Sequence, residues 1–508
     1  MDDDRRDGAM GQGMRKSLSL WNFFTMGFGA IIGTGWVLLV GNWMVVGGGP
    51  MPAIIAFLIA MVLLVPVGAV FGELTAAIPI SGGIVEYVDR SFGPTLSFFT
   101  GWMLTLSNCI ICPWEAIAIS TLLTEHFSHM PNLAWLTSVR LYTILGADVY
   151  LWPTVIAVGL SLLVVRLNFL GSGSSARLSV SLAKVLLAGM ALTMVVALAT
   201  GSSSNAMPVF SQVSNTAGGD TEATSLLGGI LAVLVMTPFF FAGFDTIPQQ
   251  AEEASEGLNW STFGKIIPLT LIASGGFYVV CIYSFGTILP WVDFVKSPTP
   301  ALAALESIDV LLYAVILVIA TLGTLGPMNA FFGASTRLIL AMARKDQLPS
   351  CLGTLDEEHG VPRIACIVMT VLTLAGPLLG PNTLVAITNV SARAIVLAST
   401  ILSLSCLRLR RTEPDLPRPY RVPGGRPAII WACLSGCVIT AFMFLPMSPQ
   451  GPSAGEWLVM VAWVILGLAI RGAHRMLTRP ANAGGRTSPP PPLRPGDDRK
   501  NPGFQGPR

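Results

Sequence analysis

The sequence predicts an all-α integral membrane protein with about twelve transmembrane helices, and three observations support that expectation. Of 508 residues, 52% are hydrophobic and only 11% are charged; soluble globular chains carry roughly 25% charged residues. Mean hydropathy is +0.67. Apolar runs of about 20 residues, the length that crosses a hydrocarbon core of about 30 Å, recur along the whole chain. Basic residues gather in alternate connections, as the positive-inside rule requires of a polytopic protein.

The spans follow in order. The first, 20–46, is interrupted by Gly33-Thr34-Gly35. The second, 51–76, closes at Gly72-Glu73-Leu74, with Pro79 and Gly82-Gly83 beyond it. The third, 95–123, carries Cys109, Cys112 and Glu115; the fourth is 151–168, and the fifth, 178–200, holds Lys184. The sixth, 226–248, contains Gly243 and Asp245 and stops at Pro248. The seventh and eighth are 266–290 and 308–343. The ninth, 364–380, and the tenth, 384–407 with Arg393, meet around Pro377 and Pro381. The last two are 427–447 and 455–472. This divides the chain into an N-terminal tail 1–19, a core 20–407, a loop 408–426, a final helix pair 427–472 and a tail 473–508.

With the N-terminus inside, the inner side collects Arg5, Arg6, Arg15, Lys16, Arg90, Arg166, Arg177, Lys265, Arg337, Arg344, Lys345 and Arg363, then a run from Arg408 to Arg426. The outer loops keep only Arg140 and Lys296. Both termini are therefore expected in the cytoplasm of a cell (plasma or inner) membrane. Met1–Lys16 is polar and leads into a full-length span, so no cleavable signal is expected. From Arg479, through Pro489-Pro490-Pro491-Pro492, apolar periodicity ends, and a solvated disordered tail or a partner-binding one is expected.

The glycines at 33 and 35 carry the functional information. They weaken a helix inside an apolar run and let the backbone open. Lipid cannot satisfy the freed N–H and C=O groups, so such a break survives only where it lines a cavity. There its amides can hold a small anion such as a carboxylate, which points to a transporter with its substrate near the midplane. Gly243 and Asp245 mark a second break in the sixth span. If helices one to five repeat as six to ten in inverted topology, the two breaks occupy corresponding positions.

At this point the chain resembles the amino acid–polyamine–organocation superfamily of secondary transporters, over about residues 20–427. Gly29-Ala30-Ile31-Ile32-Gly33-Thr34-Gly35 is similar to that family's first-helix signature. Gly72-Glu73-Leu74 with Pro79 and Gly82-Gly83, then Gly243-Phe244-Asp245 with Ala251-Glu252-Glu253, resemble its second-helix exit and sixth-helix motif. Arg337, Ala341-Met342-Ala343-Arg344 and Leu348-Pro349 resemble the eighth-helix exit, and Arg418-Pro419-Tyr420-Arg421-Val422-Pro423-Gly424 the loop before the eleventh. The resemblance implies a five-plus-five inverted repeat with broken helices 1 and 6, two extra helices, and alternating access. It also implies a substrate with an α-amino and usually an α-carboxylate group. Amides at Gly33, Thr34 and Gly35 would hold the carboxylate, and carbonyls at Ile31, Phe239 and Ala242 the ammonium.

Ionisable residues inside spans are costly and become functional candidates. Lys184 occupies a place where some proton-coupled relatives carry a lysine, so it is expected to couple transport to protons; the alternative is a lysine snorkelling to the inner surface. Asp245 is expected as proton acceptor or gate, or as a cap on freed amides. Glu115 and Arg393 lie at similar depth, about 10–14 Å below the outer surface at 1.5 Å per residue. They are expected to pair, as an outer gate, a substrate contact or a static lock. Glu73, Glu252 and Glu253 at inner helix ends either meet arginines or face water. Trp36, Trp102 and Trp114 either wall the pocket or pack in the core.

Cys109-x-x-Cys112 has no second pair beside it, and His126, His129, His359 and His474 are scattered, so neither metal nor cofactor is expected. No nucleophile–base constellation, phosphate-binding glycine loop or nucleic-acid surface emerges, so an enzyme is not expected. The leading expectation is a proton-coupled amino acid importer. The alternatives are an amino acid/amine exchanger and, further off, a sensor or channel. A monomer suffices for this fold, and an oligomer is compatible with it.

Overall fold

The computed structural model describes residue 16 and residues 18–215, 219–220, 225–297, 299–444 and 451–478. The expected tails, with Arg5, Arg6, Arg15 and the proline run at 489–492, lie outside the described residues apart from their inner edges.

Helices dominate. The first expected span is divided into α1 (Leu20–Ile31), α2 (Gly35–Leu38) and α3 (Val40–Gly47). Then come α4 (Pro50–Ala77), a short α5 (Gly83–Phe92), α6 (Pro94–Cys109) and α7 (Ile111–His129). A hairpin, β1 (Arg140–Ile144) and β2 (Ala147–Tyr150), leads to α8 (Leu151–Phe169) and α9 (Ser172–Thr200). The sixth span is α10 (Leu226–Phe241) with α11 (Thr246–Gln249), and the seventh is α12 (Trp260–Ile288). Short α13 (Trp291–Phe294) and α14 (Pro300–Ile308) precede the eighth span, α15 (Val310–Gly323) plus α16 (Leu325–Arg344). The chain ends with α17 (Arg363–Ala375), α18 (Leu384–Thr412), α19 (Gly425–Phe444) and α20 (Ala454–Thr478).

Among the described residues, ten helices are long and apolar enough to cross a membrane, and eleven if the bent first pair is one span. Local chemistry fixes several starts. Ser19, Ser225, Asn259 and Asp309 each accept the backbone N–H three residues ahead, which satisfies one of the orphan donors of a helix N-terminus. Glycine lets neighbouring spans touch: a Cβ on Gly72 of α4 would lie 2.2 Å from the Gly264 carbonyl oxygen of α12. Membrane helices pack through such small residues because lipid offers no hydrophobic gain for association.

Three features depart from the expected spans. The ninth span is an apolar helix of only Arg363–Leu378, about 24 Å at 1.5 Å per residue, short of a full hydrocarbon core. The last helix runs on to Thr478, past the expected boundary at 472. The β1–β2 hairpin was not expected at all. Its turn places Leu145 (φ 48°) and Gly146 (φ 78°) both in the left-handed region, and a Leu-Gly pair is not the Asn-Gly signal that announces such turns.

Ion pairs close the end of the bundle where the basic residues gather. Arg337 donates to Glu253 at 2.7 Å with both side chains buried, and Arg344 reaches Glu252 at 3.0 Å. Glu73, fully buried, takes Arg410, Arg418 and the Val422 N–H. The three acids expected either to face water or to meet arginines thus all meet arginines. Leu18 adds a backbone clamp, donating to the Glu253 carbonyl at 3.0 Å and accepting from Ser255 N–H at 2.9 Å.

Candidate functional site

The helical ladder of α1 stops at Ile31, and Ile32, Gly33 and Thr34 form the gap before α2. A second discontinuity follows at Leu39, where the chain bends by 69° between Leu20–Leu38 and Val40–Gly47. The break expected at Gly33–Gly35 is present, and the larger change of direction comes one turn later. Two groups hold the gap open. The Thr34 hydroxyl donates to the Ala320 carbonyl of α15 at 3.0 Å, and the Tyr278 hydroxyl of α12 donates to the Ile31 carbonyl at 2.9 Å.

In the sixth span α10 ends at Phe241, and the chain turns through Ala242–Asp245 before α11. Gly243 has φ +126°, a conformation that side chains rarely adopt. Asp245 braces this turn. One carboxylate oxygen accepts the Gly243 N–H at 3.0 Å, and the other accepts from Asn108 of α6 at 2.9 Å.

The two gaps abut backbone to backbone. A Cβ on Gly243 would stand 2.6 Å from the Ile31 nitrogen and 2.8 Å from the Ala30 carbonyl carbon. Beside this junction lies a small cavity. Six of the residues expected at a substrate site line it: Ile31, Gly33, Gly35, Phe239, Ala242 and Glu115. Its remaining wall includes Trp114, Phe240, Tyr278 and Phe331, so with Phe239 five aromatic rings line it. Trp114 is held in place by its indole N–H, which donates to the Leu384 carbonyl and the Thr388 hydroxyl of α18. Tyr278, with its hydroxyl on the Ile31 carbonyl, is a lining residue that the sequence reading did not single out. Its only signal was a tyrosine in the middle of an apolar span.

Three expected residues lie elsewhere. The Thr34 hydroxyl is spent on α15, as described above. Arg393 is buried at 1% exposure but does not meet Glu115. It donates to Glu456 of α20 at 3.1 Å, and Asn389 donates to the other oxygen of the same carboxylate at 2.7 Å. The expected Glu115–Arg393 pair is therefore corrected: α18 turns Arg393 toward the last helix, whose acid lies nearer than the cavity. Lys184 is not among the residues lining the cavity. It is exposed and stands on the same outward face of α9 as Val185 and Leu187, while Ala183 is the residue packed toward Gly29. One residue along a helix is a rotation of about 100°, enough to move a side chain from the core to the lipid-facing surface.

One group of metal-ligand type occurs among the described residues. Asp356, Glu358 and His359 bring ligand atoms within 4.8 Å of one another in the loop before α17. Arg363 already sits 3.3 Å from Asp356 and 4.0 Å from Glu358, so a guanidinium supplies the positive charge there.

Comparison with known proteins gives the same picture over nearly the whole chain. The branched-chain amino acid permease of Bacillus subtilis is 24% identical over 465 residues, covering 90% of this chain and 92% of that protein. The aspartate-proton symporter of the same organism is 25% identical over 428 residues, covering 81% of this chain and 76% of the symporter. A probable GABA permease of Pseudomonas aeruginosa is 24% identical over 418 residues, covering 80% of this chain and 81% of that permease. The family profile described as amino acid permease matches residues 18–470, and the chain belongs to that family.

Proposed function

We propose that this protein is a secondary transporter that moves an amino acid across the cell membrane by alternating access, coupled to protons. The single observation that carries this reading is the junction of two broken spans, Gly243 against Ala30 and Ile31, beside one cavity. A helix that ends in mid-membrane presents uncapped carbonyls, and a helix that begins there presents free amides. Together they match a zwitterion: ammonium at the Ala242 carbonyl and at the second lone pairs of the Ile31 and Phe239 carbonyls, which already accept from the Tyr278 hydroxyl and the Ala242 N–H, and carboxylate at the Gly33–Gly35 amides. The relatives' amino acid substrates agree with that charge pattern.

On the positive-inside reading, the end sealed by Glu73, Glu252 and Glu253 faces the cytoplasm, with both termini on that side. Those pairs, and the Leu18 clamp on Glu253 and Ser255, would have to part for substrate to leave inward. Asp245 braces the Gly243 turn in this scheme, and Lys184 stays outside the cavity.

Reconstitution into liposomes tests the reading. Each of the twenty proteinogenic L-amino acids is offered singly, with an inward proton gradient or with the same amino acid preloaded. Uptake raised by the gradient supports symport, and uptake raised only by preloading replaces it with exchange. No gradient-driven or exchange flux of any amino acid would reject amino acid transport.

A further inference from the structure

Among the described residues, Glu115 is the one carboxyl group lining the cavity. It is 4% exposed, and its Oε2 has no hydrogen-bond partner among the described residues. A Cβ on Gly33 would lie 2.5 Å from Glu115 Oε1, so the carboxyl rests directly against the first break. Among the described residues, neighbouring elements offer Glu115 no counter-charge. Cys112 on its own helix and Tyr278 on α12 are titratable groups close enough to feel its charge, and neither is a cation. Arg393 on α18 is engaged by Glu456, Arg337 on α16 by Glu253, and Tyr313 on α15 by His126. Arg166, on α8, sits in that helix's last turn.

This arrangement conflicts with a substrate carboxylate unless a proton is present. The amides of the Gly33–Gly35 gap are the place for an anion, and Glu115 already stands beside them. Two ionised carboxylates in a buried cavity repel strongly, and such pairs resolve the conflict by sharing one proton. We propose that Glu115 is the proton site of the transport cycle: it is neutral while the substrate carboxylate occupies the Gly33–Gly35 gap, and its hydroxyl donates to that carboxylate. One proton is taken from the outer solution with each amino acid and released inward with it, so charge and protons balance. The inference rests on the amino acid reading above and assigns that reading its proton carrier.

The test measures proton uptake on binding. Purified full-length protein is titrated calorimetrically with each of the twenty proteinogenic L-amino acids, and with their decarboxylated amines, at several pH values. Two buffers of different ionisation enthalpy are used. The expected result is about one proton taken up per amino acid bound, with affinity falling about tenfold per pH unit once Glu115 ionises, the slope for one linked proton. Glu115→Gln, which copies the neutral acid, should abolish both the pH slope and the proton uptake, and with them gradient-driven accumulation. Glu115→Asp should move the pH midpoint while keeping uptake near one proton. Binding of amino acids to the wild type with no proton uptake at any pH of the series would overturn the inference, even if neither variant folds. So would Glu115→Gln that still accumulates amino acid on a gradient. The same tenfold fall per pH unit in the binding of the decarboxylated amines would also overturn it, since they carry no carboxylate for a neutral Glu115 to meet. Exchange of amino acids by the wild type without proton uptake removes only this inference, whereas absence of all amino acid flux removes the transport reading with it.

Discussion

Replacing Gly243 by alanine should drive the two broken spans apart. The added Cβ would sit 2.6 Å from the Ile31 nitrogen, 0.8 Å inside the 3.4 Å at which ordinary contact begins. Its neighbours there are backbone atoms, which cannot swing aside as a flexible side chain can. The residue must also hold φ +126°, at a cost of about 1–3 kcal/mol for a side chain in so sparsely populated a region. Overpacking of a tight interior adds about 1–3 kcal/mol more. Together the substitution should cost about 2–6 kcal/mol, concentrated where α1 and α10 meet. The assay is thermal unfolding in detergent alongside amino acid uptake in liposomes. Gly276→Ala on α12 serves as control, because a Cβ there meets nothing within 4 Å. Gly243→Ala should lower the unfolding temperature by several degrees and remove most uptake, while Gly276→Ala leaves both near wild type. A Gly243→Ala protein with wild-type stability and uptake would refute the abutment of the two breaks.

Three further outcomes follow from particular contacts. Arg393→Met and Glu456→Gln should each destabilise by about 3–5 kcal/mol, because each strands a buried partner, and the double variant should recover much of that loss. Glu115→Gln should be additive with either in the same double-mutant cycle, since it shares no contact with them. Lys184→Gln should keep gradient-driven uptake within about twofold in liposomes, because Lys184 stands on the outward face of α9; loss of coupling would place it back in the mechanism. The last concerns pH. Burial alone would raise the Glu86 carboxyl, but Lys345 and Arg90 outweigh it and hold the group below the usual carboxylate range. Burial likewise disfavours the Lys345 ammonium, and Glu86 and Asp89 hold it above the usual lysine range. A depressed acid contributes fully above the unfolded value of about 4.3 and loses that contribution as pH falls through its folded value. A raised base contributes fully below about 10.4 and loses it as pH rises through its folded value. The stability gap between wild type and Glu86→Gln should therefore be level across neutral pH and vanish in acid, as thermal midpoints measured over a pH series would show.

Much of the fold was legible in the chain, for a plain reason. A bilayer forces every spanning segment to be long, apolar and internally hydrogen-bonded, so length and hydropathy alone locate most spans. The breaks at Gly33–Gly35 and Gly243 were legible too, because glycine in such a segment contradicts the helix around it. The β1–β2 hairpin was not, since nothing in Leu145-Gly146 announces a turn with both residues at positive φ. The shortness of the ninth span also escaped, because a run of apolar residues does not say where its helix stops.

The site divides in the same way. Backbone-defined members such as Ile31, Gly33, Gly35, Phe239 and Ala242 follow from where the chain breaks, and they line one cavity. Side-chain-defined members depend on helix rotation and on which neighbour is nearest. Residue counting puts Glu115 and Arg393 at one expected depth, yet Glu115 turns to Gly33 while Arg393 turns to Glu456. Lys184 and Ala183 differ by one position and face opposite environments. The sequence by itself determined a polytopic membrane protein with two broken spans, because hydropathy and glycine act locally along the chain. Only the tertiary structure decided which charges meet, because a helix presents a new direction every residue and partners are chosen by packing across distant segments.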